Sequence, residues 1–199
     1  MALAPFTPIS TRRVTIRAVG GQDLPDLLEI NGDDEVTRFL PYATWRCALD
    51  GTTWLARMVA LAQSGSGVQL VIARNTDDKV IGTVLLFRFD EASARVELGY
   101  VLGRPYWRQG LATEALRAVC EHAFGQLAVR HIEAEVNPDN DASNALLRSL
   151  GFVHEGYLRK RWVAKGVAYD TNLYGCLAHE WPPCRPAAKG RSATKARKT

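Results

Sequence analysis

Nothing in this chain is arranged to bind a metal or to be stapled by disulfides. Its four cysteines, Cys47, Cys120, Cys176 and Cys184, are scattered with no CxxC pair, and its four histidines do not cluster. That distribution argues against a zinc site and a disulfide framework, and suits a reducing compartment. No uninterrupted apolar run approaches the roughly 18 residues that a membrane-spanning helix needs. The opening residues, MALAPFTPIS, lack a charged stretch leading into a long apolar one, so no signal peptide is expected. These absences make the cytoplasm the expected compartment, with no membrane partner. Two common phosphate loops are missing as well: GxxxxGK followed by Ser or Thr, and GxGxxG. There is no internal repeat.

What is present reads as an ordinary globular composition, 199 residues with 47% apolar and 23% charged. That length fits one domain able to bury its own core. The formal net charge of +4 misleads, because residues 182–199 carry six basic side chains and no acid, and the remainder sums to about −2. As a functional element this tail would be a nucleic-acid arm. No aromatic is interleaved with its charges, so it reads as a disordered, solubilising extension, and nucleic acid is not an expected partner. Residues 1–11 read as an N-terminal extension and 12–181 as the folded domain.

Periodicity divides that domain into elements. Arg13 to Ala18 alternates like a strand. Asp23 is placed to cap a helix through Ile30, with Pro25 in its first turn. Asp50 to Gln63 repeats at helical spacing, with Trp54, Leu55, Met58, Val59 and Ala62 on one face. Val68 to Arg74 and Lys79 to Phe89 are β-rich runs joined by the turn residues 75–78, and Arg95 to Leu102 is a further strand. Leu111 to Phe124 returns to the helical period, and His131 to Val136 is a strand stopped by Asn137 and Pro138. Asp141 can cap a helix to Leu150 that ends at a left-handed Gly151, and Asp170 to Ala178 closes a C-terminal hairpin. The expected fold class is α/β (α+β): a mixed, mostly antiparallel sheet of about seven strands with helices on both faces.

The stretch from Glu97 to Leu116 carries the chemistry. It runs from a strand through a short turn of Gly and Arg directly into a helix. The first amides of a helix have no internal acceptors and lie at the positive end of its dipole. With Gly110 and Ala112 keeping the turn bare and Arg108 adding full charge, those amides can surround a phosphate. The alternative is a basic connection with no ligand. Glu97 is the one carboxylate in the strand leading to this turn. Strand alternation puts it on one face with Gly99 and Val101, either as a proton acceptor or as a salt-bridged surface residue.

Here the chain resembles the GNAT-type N-acetyltransferases, whose pyrophosphate signature is Arg or Gln, two variable residues, Gly, one variable residue, then Gly or Ala. Gly110 and Ala112 match it. Three blocks, Glu97 to Leu116, Val136 to Phe152 and Glu155 to Gly175, are similar to the RimJ/RimL branch, which acetylates ribosomal-protein N-termini and various small amines. The resemblance spans about residues 12–181. It implies a sheet splayed in the middle and acetyl-coenzyme A as the co-substrate, with no metal. Backbone groups of Tyr100, Val101 and Leu102 would grip the pantetheine arm. Residues Trp107, Arg108, Gln109, Gly110, Leu111, Ala112 and Thr113 would hold the pyrophosphate, and Asn137, Asn140, Ser143 and Asn144 would lie at the thioester. For Asn140 and Ser143, helix capping is the competing role. A homodimer is an assembly open to such a domain.

Two positions depart from the family pattern. Trp107 stands where Arg or Gln is common, and Leu147 stands where many members place a tyrosine acid. Ser143 is the expected substitute acid, with Tyr157 behind it. Glu97 is the expected base, although many relatives carry it one place earlier, at Val96 here. An amine with a pKa near 10 is mostly ammonium at neutral pH, so a base is required. Phe39, Tyr42, Trp45, Arg159, Trp162 and Asp170 are the expected acceptor-site residues, since aromatics around a carboxylate suit a cation. Packing is the competing role for the aromatics, and pairing with Arg159 or Lys160 for Asp170. The function expected is acetyl transfer to a primary amine, on a protein N-terminus or a small molecule; the alternative is a non-catalytic coenzyme A sensor.

Overall fold

In the computed structural model, which describes residues 6–181, the alternating and helical runs become five α-helices and eight strands. The order is β1 (Ile9–Ser10), β2 (Val14–Ala18), α1 (Leu24–Asn31), α2 (Asp34–Thr37), α3 (Ala48–Gln63), β3 (Gly67–Arg74), β4 (Val80–Asp90), β5 (Arg95–Leu102), α4 (Leu111–Gly125), β6 (His131–Val136), α5 (Asp141–Leu150), β7 (Val153–Ala164) and β8 (Val167–Leu177). The strands form one sheet in the order β1-β2-β3-β4-β5-β6-β8-β7. Every neighbour pairs antiparallel except β5 with β6. This is the mixed, mostly antiparallel sheet that the sequence led us to expect. The eighth strand, β1, falls within residues read as an N-terminal extension; Ile9 pairs with Ile16, and Phe6 stacks on His122 at 4.9 Å. The basic tail and Cys184 lie outside the described residues.

Alternation along the strands sorts the interior into two cores. On one face Leu70, Ile72, Val96, Leu98, Ile132 and Ala134 pack with Leu111, Ala115, Leu116 and Val119 of α4 and with Leu147 and Leu150 of α5. On the other face Val71 and Val80 pack with Leu27 and Ile30 of α1, Trp54 of α3, and Trp45. Each fully buried aliphatic here contributes about 1.5–3 kcal/mol.

Several local readings change. Val59 of α3 is 46% exposed; the buried stripe runs through Gly51, Trp54, Leu55 and Met58. Asn140, not Asp141, caps α5, by accepting the Ser143 amide at 3.1 Å. Asp23 makes no side-chain cap to α1. Its carboxylate instead accepts the Gly20 amide at 2.8 Å and both terminal nitrogens of Arg17.

The feature that positions the site is a break in the sheet. β5 and β6 are in register at three pairs only, Arg95 with His131, Val96 with Ile132 and Glu97 with Glu133. Beyond them β5 stays on β4 as far as Leu102, and β6 stays on β8 as far as Val136. The two strands diverge into a fork.

Candidate active site

The inner edge of the fork offers backbone groups to a ligand. The Gly103 amide bonds the Ile81 carbonyl of β4 at 2.8 Å. Opposite residues in an antiparallel ladder alternate between bonded and non-bonded pairs. Val101, opposite Thr83, therefore turns its N–H and C=O to β4, while Tyr100 and Leu102 turn theirs into the fork. The Trp107 indole, which donates to the Leu102 carbonyl at 2.7 Å, agrees with that direction. Of the three residues expected to grip a ligand through their backbone, Val101 is the exception, and its side chain packs on the α1/α3 core.

Past the fork, a 3-10 turn at Arg104–Tyr106 leads into α4 through two left-handed residues, Arg108 at φ 59° and Gly110 at φ 73°. Among the described residues, no protein acceptor meets the amides of residues 108–113. A row of unpaired amides at a helix start is an anion cradle. The segment is held by residues 96 to 103 positions earlier in the chain. Glu114 accepts from the Thr11 hydroxyl at 2.7 Å, the Arg13 amide at 2.8 Å and the Arg13 guanidinium at 2.6 Å. Arg13 also donates to the Gln109 carbonyl at 2.8 Å. Burial acts to raise the Glu114 carboxyl, but these donors outweigh it and hold the pKa below the usual value. Sequence reading missed Thr11, Arg13 and Glu114, since nothing local links β2 to this turn.

Glu97 sits at the apex of the fork, 7% exposed, on the α1/α3 face. Val96, the alternative register for a base, is fully buried in the opposite core. Glu97 lines a cavity of about 130 Å³ with Arg88, Arg95, Glu133, Glu135 and Arg161. Arg88 donates to it at 2.7 Å. Burial pushes the Glu97 carboxyl up, Arg88 pulls it down, Glu135 and Glu133 add to the rise, and the net pKa is raised. The other acids and arginines of this cavity were not expected. The alternation of His131-Ile-Glu-Ala-Glu-Val in β6 was the available signal, as it places Glu133 and Glu135 beside Glu97.

A profile of the Acetyltransferase (GNAT) domain matches residues 13–153. The chain is 32% identical over 172 residues, 86% of its own length and 97% of the relative's, to the uncharacterized N-acetyltransferase YoaA of Bacillus subtilis (strain 168). It is 28% identical over 116 residues, 58% of its length and 64% of the relative's, to the ribosomal-protein-serine acetyltransferase of Escherichia coli (strain K12). The crystal structure of a probable GNAT-family acetyltransferase from Chromobacterium violaceum superposes with a TM-score of 0.81 at 29% identity, covering 89% of each chain. The chain belongs to the GNAT acetyltransferase family. It is an acetyltransferase enzyme.

Around the fork of this acetyltransferase the remaining expected residues divide. The Tyr100 hydroxyl and Ser143 Oγ lie 2.5 Å apart, joining β5 to the first turn of α5, and burial pushes the Tyr100 phenol well up. Leu147 is buried in the core and takes no part. Asn144 uses its whole amide on the protein: it donates to the carbonyls of Asn137, Pro138 and Asn140 and accepts from Asn172 and Tyr174. That makes it a brace between the β6–α5 turn and β8. Asn137 accepts the Asp139 amide at 2.9 Å.

The acceptor-site residues do not converge. Trp162 packs against two residues that line the Glu97 cavity, its indole donating to Glu135 and Arg88 lying 5.2 Å over its ring. Tyr157 donates to Asp170 from the other face of the sheet, opposite Asn172 in register. Arg159 is exposed nearby. Trp45, 4% exposed and packed on Trp54, is a core residue. Tyr42 bonds Asn31 and is pushed up by burial, and Phe39 lies under Arg38. The tip of the β7–β8 hairpin reaches these loops: Lys165 donates to the Thr37 carbonyl at 2.7 Å, beside a broad cleft lined by Asp34, Arg38, Thr44 and Arg46.

Proposed function

We propose that this acetyltransferase takes its acetyl group from acetyl-coenzyme A and passes it by direct attack to a primary amine, in the cytoplasm. The observation that carries the reading is the coincidence of the β5–β6 fork with the unpaired amides of residues 108–113. The residues present fit the co-substrate. Inward-facing backbone groups of Tyr100 and Leu102 suit an extended amide-bearing arm, as strand addition does, and the start of α4 suits its pyrophosphate. The bound thioester supplies an activated acetyl group. The chain's part is to align it with the amine, which accounts for much of the acceleration. The Leu102 amide would face the negative charge that grows on the carbonyl oxygen. Glu97 would take the ammonium proton, directly or through water, its raised basicity suiting that task. Ser143, with Tyr100 hydrogen-bonded to it, would protonate the leaving thiolate; Tyr157, bonded to Asp170, would be the second choice.

Direct transfer is supported by the cysteines of the core: burial pushes Cys176 to about 11 and Cys120 higher, so neither is an activated thiolate. The similarity to a ribosomal-protein-serine acetyltransferase makes a peptide with an N-terminal serine the first acceptor to try, alongside polyamines and amino acids. The test is calorimetry with acetyl-coenzyme A, coenzyme A, ATP and NAD, followed by acetyl transfer to that amine panel. Selective binding of the two coenzyme A species with turnover of one amine class is the expected result. Absence of coenzyme A binding would overturn the reading.

A further inference from the structure

The residue facing Glu97 arrives there by a backbone irregularity. β4 pairs regularly with β5 as far as Phe87 opposite Glu97, then slips register before Asp90 pairs with Arg95. Within the slip Arg88 has φ 53°, a left-handed conformation that costs a non-glycine residue about 1 kcal/mol or more. In a regular strand Arg88 would point to the face opposite Phe87. The bulge re-aims it onto the same face as Glu97, where its guanidinium donates to Glu97 at 2.7 Å and lies 3.7 Å from Glu135. The rings of Trp162 at 5.2 Å and Phe87 at 5.5 Å flank it.

The charges around Glu97 are otherwise committed. Glu133 is paired with Arg95 of β5, and Glu135 with Arg161 of β7 and the Trp162 indole. Arg95 also reaches Asp90 at 3.8 Å. Among the described residues, Arg88 is the one cation hydrogen-bonded to Glu97, and its side chain is 46% exposed, so it can move without unpacking the core.

We propose that Arg88 is a positioning residue that governs the charge carried by Glu97. This rests on the reading of Glu97 as the base. With Arg88 in place, Glu97 is available as a carboxylate among the like charges of Glu133 and Glu135. Without it, burial and those two neighbours drive Glu97 toward its neutral form, which cannot accept the ammonium proton.

The experiment uses the full chain with its glutamates carboxyl-labelled with carbon-13, Glu97→Gln serving to assign the Glu97 signal. The Glu97 titration and the pH profile of kcat/KM are recorded for the wild type, Arg88→Gln and Arg88→Lys. In Arg88→Gln the Glu97 midpoint and the acid limb both move to higher pH, and kcat/KM at the wild-type midpoint falls about fivefold, as loss of a neighbouring opposite charge entails. Arg88→Lys, which keeps the cation, recovers most of this. A Glu97 midpoint that does not move in Arg88→Gln overturns the proposal. A midpoint that moves while the acid limb stays put overturns the assignment of Glu97 as base, and the two failures are told apart because the resonance reports Glu97 whether or not the enzyme turns over.

Discussion

Gly110→Ala tests the anion cradle most directly, because the structure separates its two effects. Gly110 stands at φ 73° as the residue before α4, and an added Cβ would meet only Arg13 Nη2, at 3.5 Å. There is room for the methyl group, so the cost is conformational: about 1–2 kcal/mol for an alanine held left-handed. For a domain of this size that is a fall in Tm of about 2–8 °C. If the turn instead relaxes to negative φ, the amides of residues 108–113 no longer converge. Losing even one hydrogen bond to a charged group removes about 1.5–3 kcal/mol, a rise in KM for acetyl-coenzyme A of about tenfold to a hundredfold. Gly166→Ala is the control, since Gly166 has φ 79° at the hairpin tip with nothing near its Cβ position. It carries the same conformational cost away from the cradle. Scanning calorimetry and initial rates at saturating amine give both quantities for both variants. If Gly110→Ala loses less stability than Gly166→Ala, as a turn relaxed to negative φ would, and its KM for acetyl-coenzyme A still stays within about twofold of wild type, the cradle does not bind the pyrophosphate.

Three further outcomes are expected. Glu97→Gln lowers kcat/KM at neutral pH and regains part of it at high pH, where the amine loses its proton unaided. Because folding raises the Glu97 pKa, its ionisation at neutral pH opposes folding, so this variant melts higher than wild type at neutral pH and the two converge below the usual glutamate range. Arg13→Met raises the KM for acetyl-coenzyme A with little change in kcat. Glu114 has a lowered pKa and stabilises the fold above the ordinary glutamate range, with that stability lost on acidification, so the variant's Tm falls less than that of wild type as pH is lowered from about 6 to 3. Ser143→Ala lowers kcat with Tm nearly unchanged, whereas Asn144→Ala strands several buried polar groups and costs about 3 kcal/mol of stability. Equal losses of kcat and Tm in both would leave Ser143 with its hydrogen bond to Tyr100 as a structural brace and no part in the chemistry.

The sequence by itself determined the elements whose signals are local. The strand at Arg95–Leu102, the helix beginning at Leu111, the strand at His131–Val136 and the left-handed stop at Gly151 are set by side-chain period and by glycine, and the structure has them at those bounds. The turn into α4 was legible for the same reason, because Gly110 and the start of a helix lie in one short stretch. Short elements escaped: α2 spans four residues and β1 two, too few for a period to show.

Only the tertiary structure decided what meets across the sheet. That β5 parts from β6 after Glu97 depends on which neighbour each strand keeps, and no residue in either strand encodes the partner. Ladder register turned Val101 to β4 and left Leu102 facing the fork, an outcome that hinges on the Gly103–Ile81 bond. Trp45 and Trp162 look alike as aromatic residues beside arginine, yet packing buried one in the core and placed the other against Arg88. The clamp from Arg13 to Glu114 and the bulge that aims Arg88 at Glu97 join segments that are distant in sequence or out of ordinary register. Periodicity reports the face a residue takes within its own element. The charge it then meets is a property of the assembled sheet.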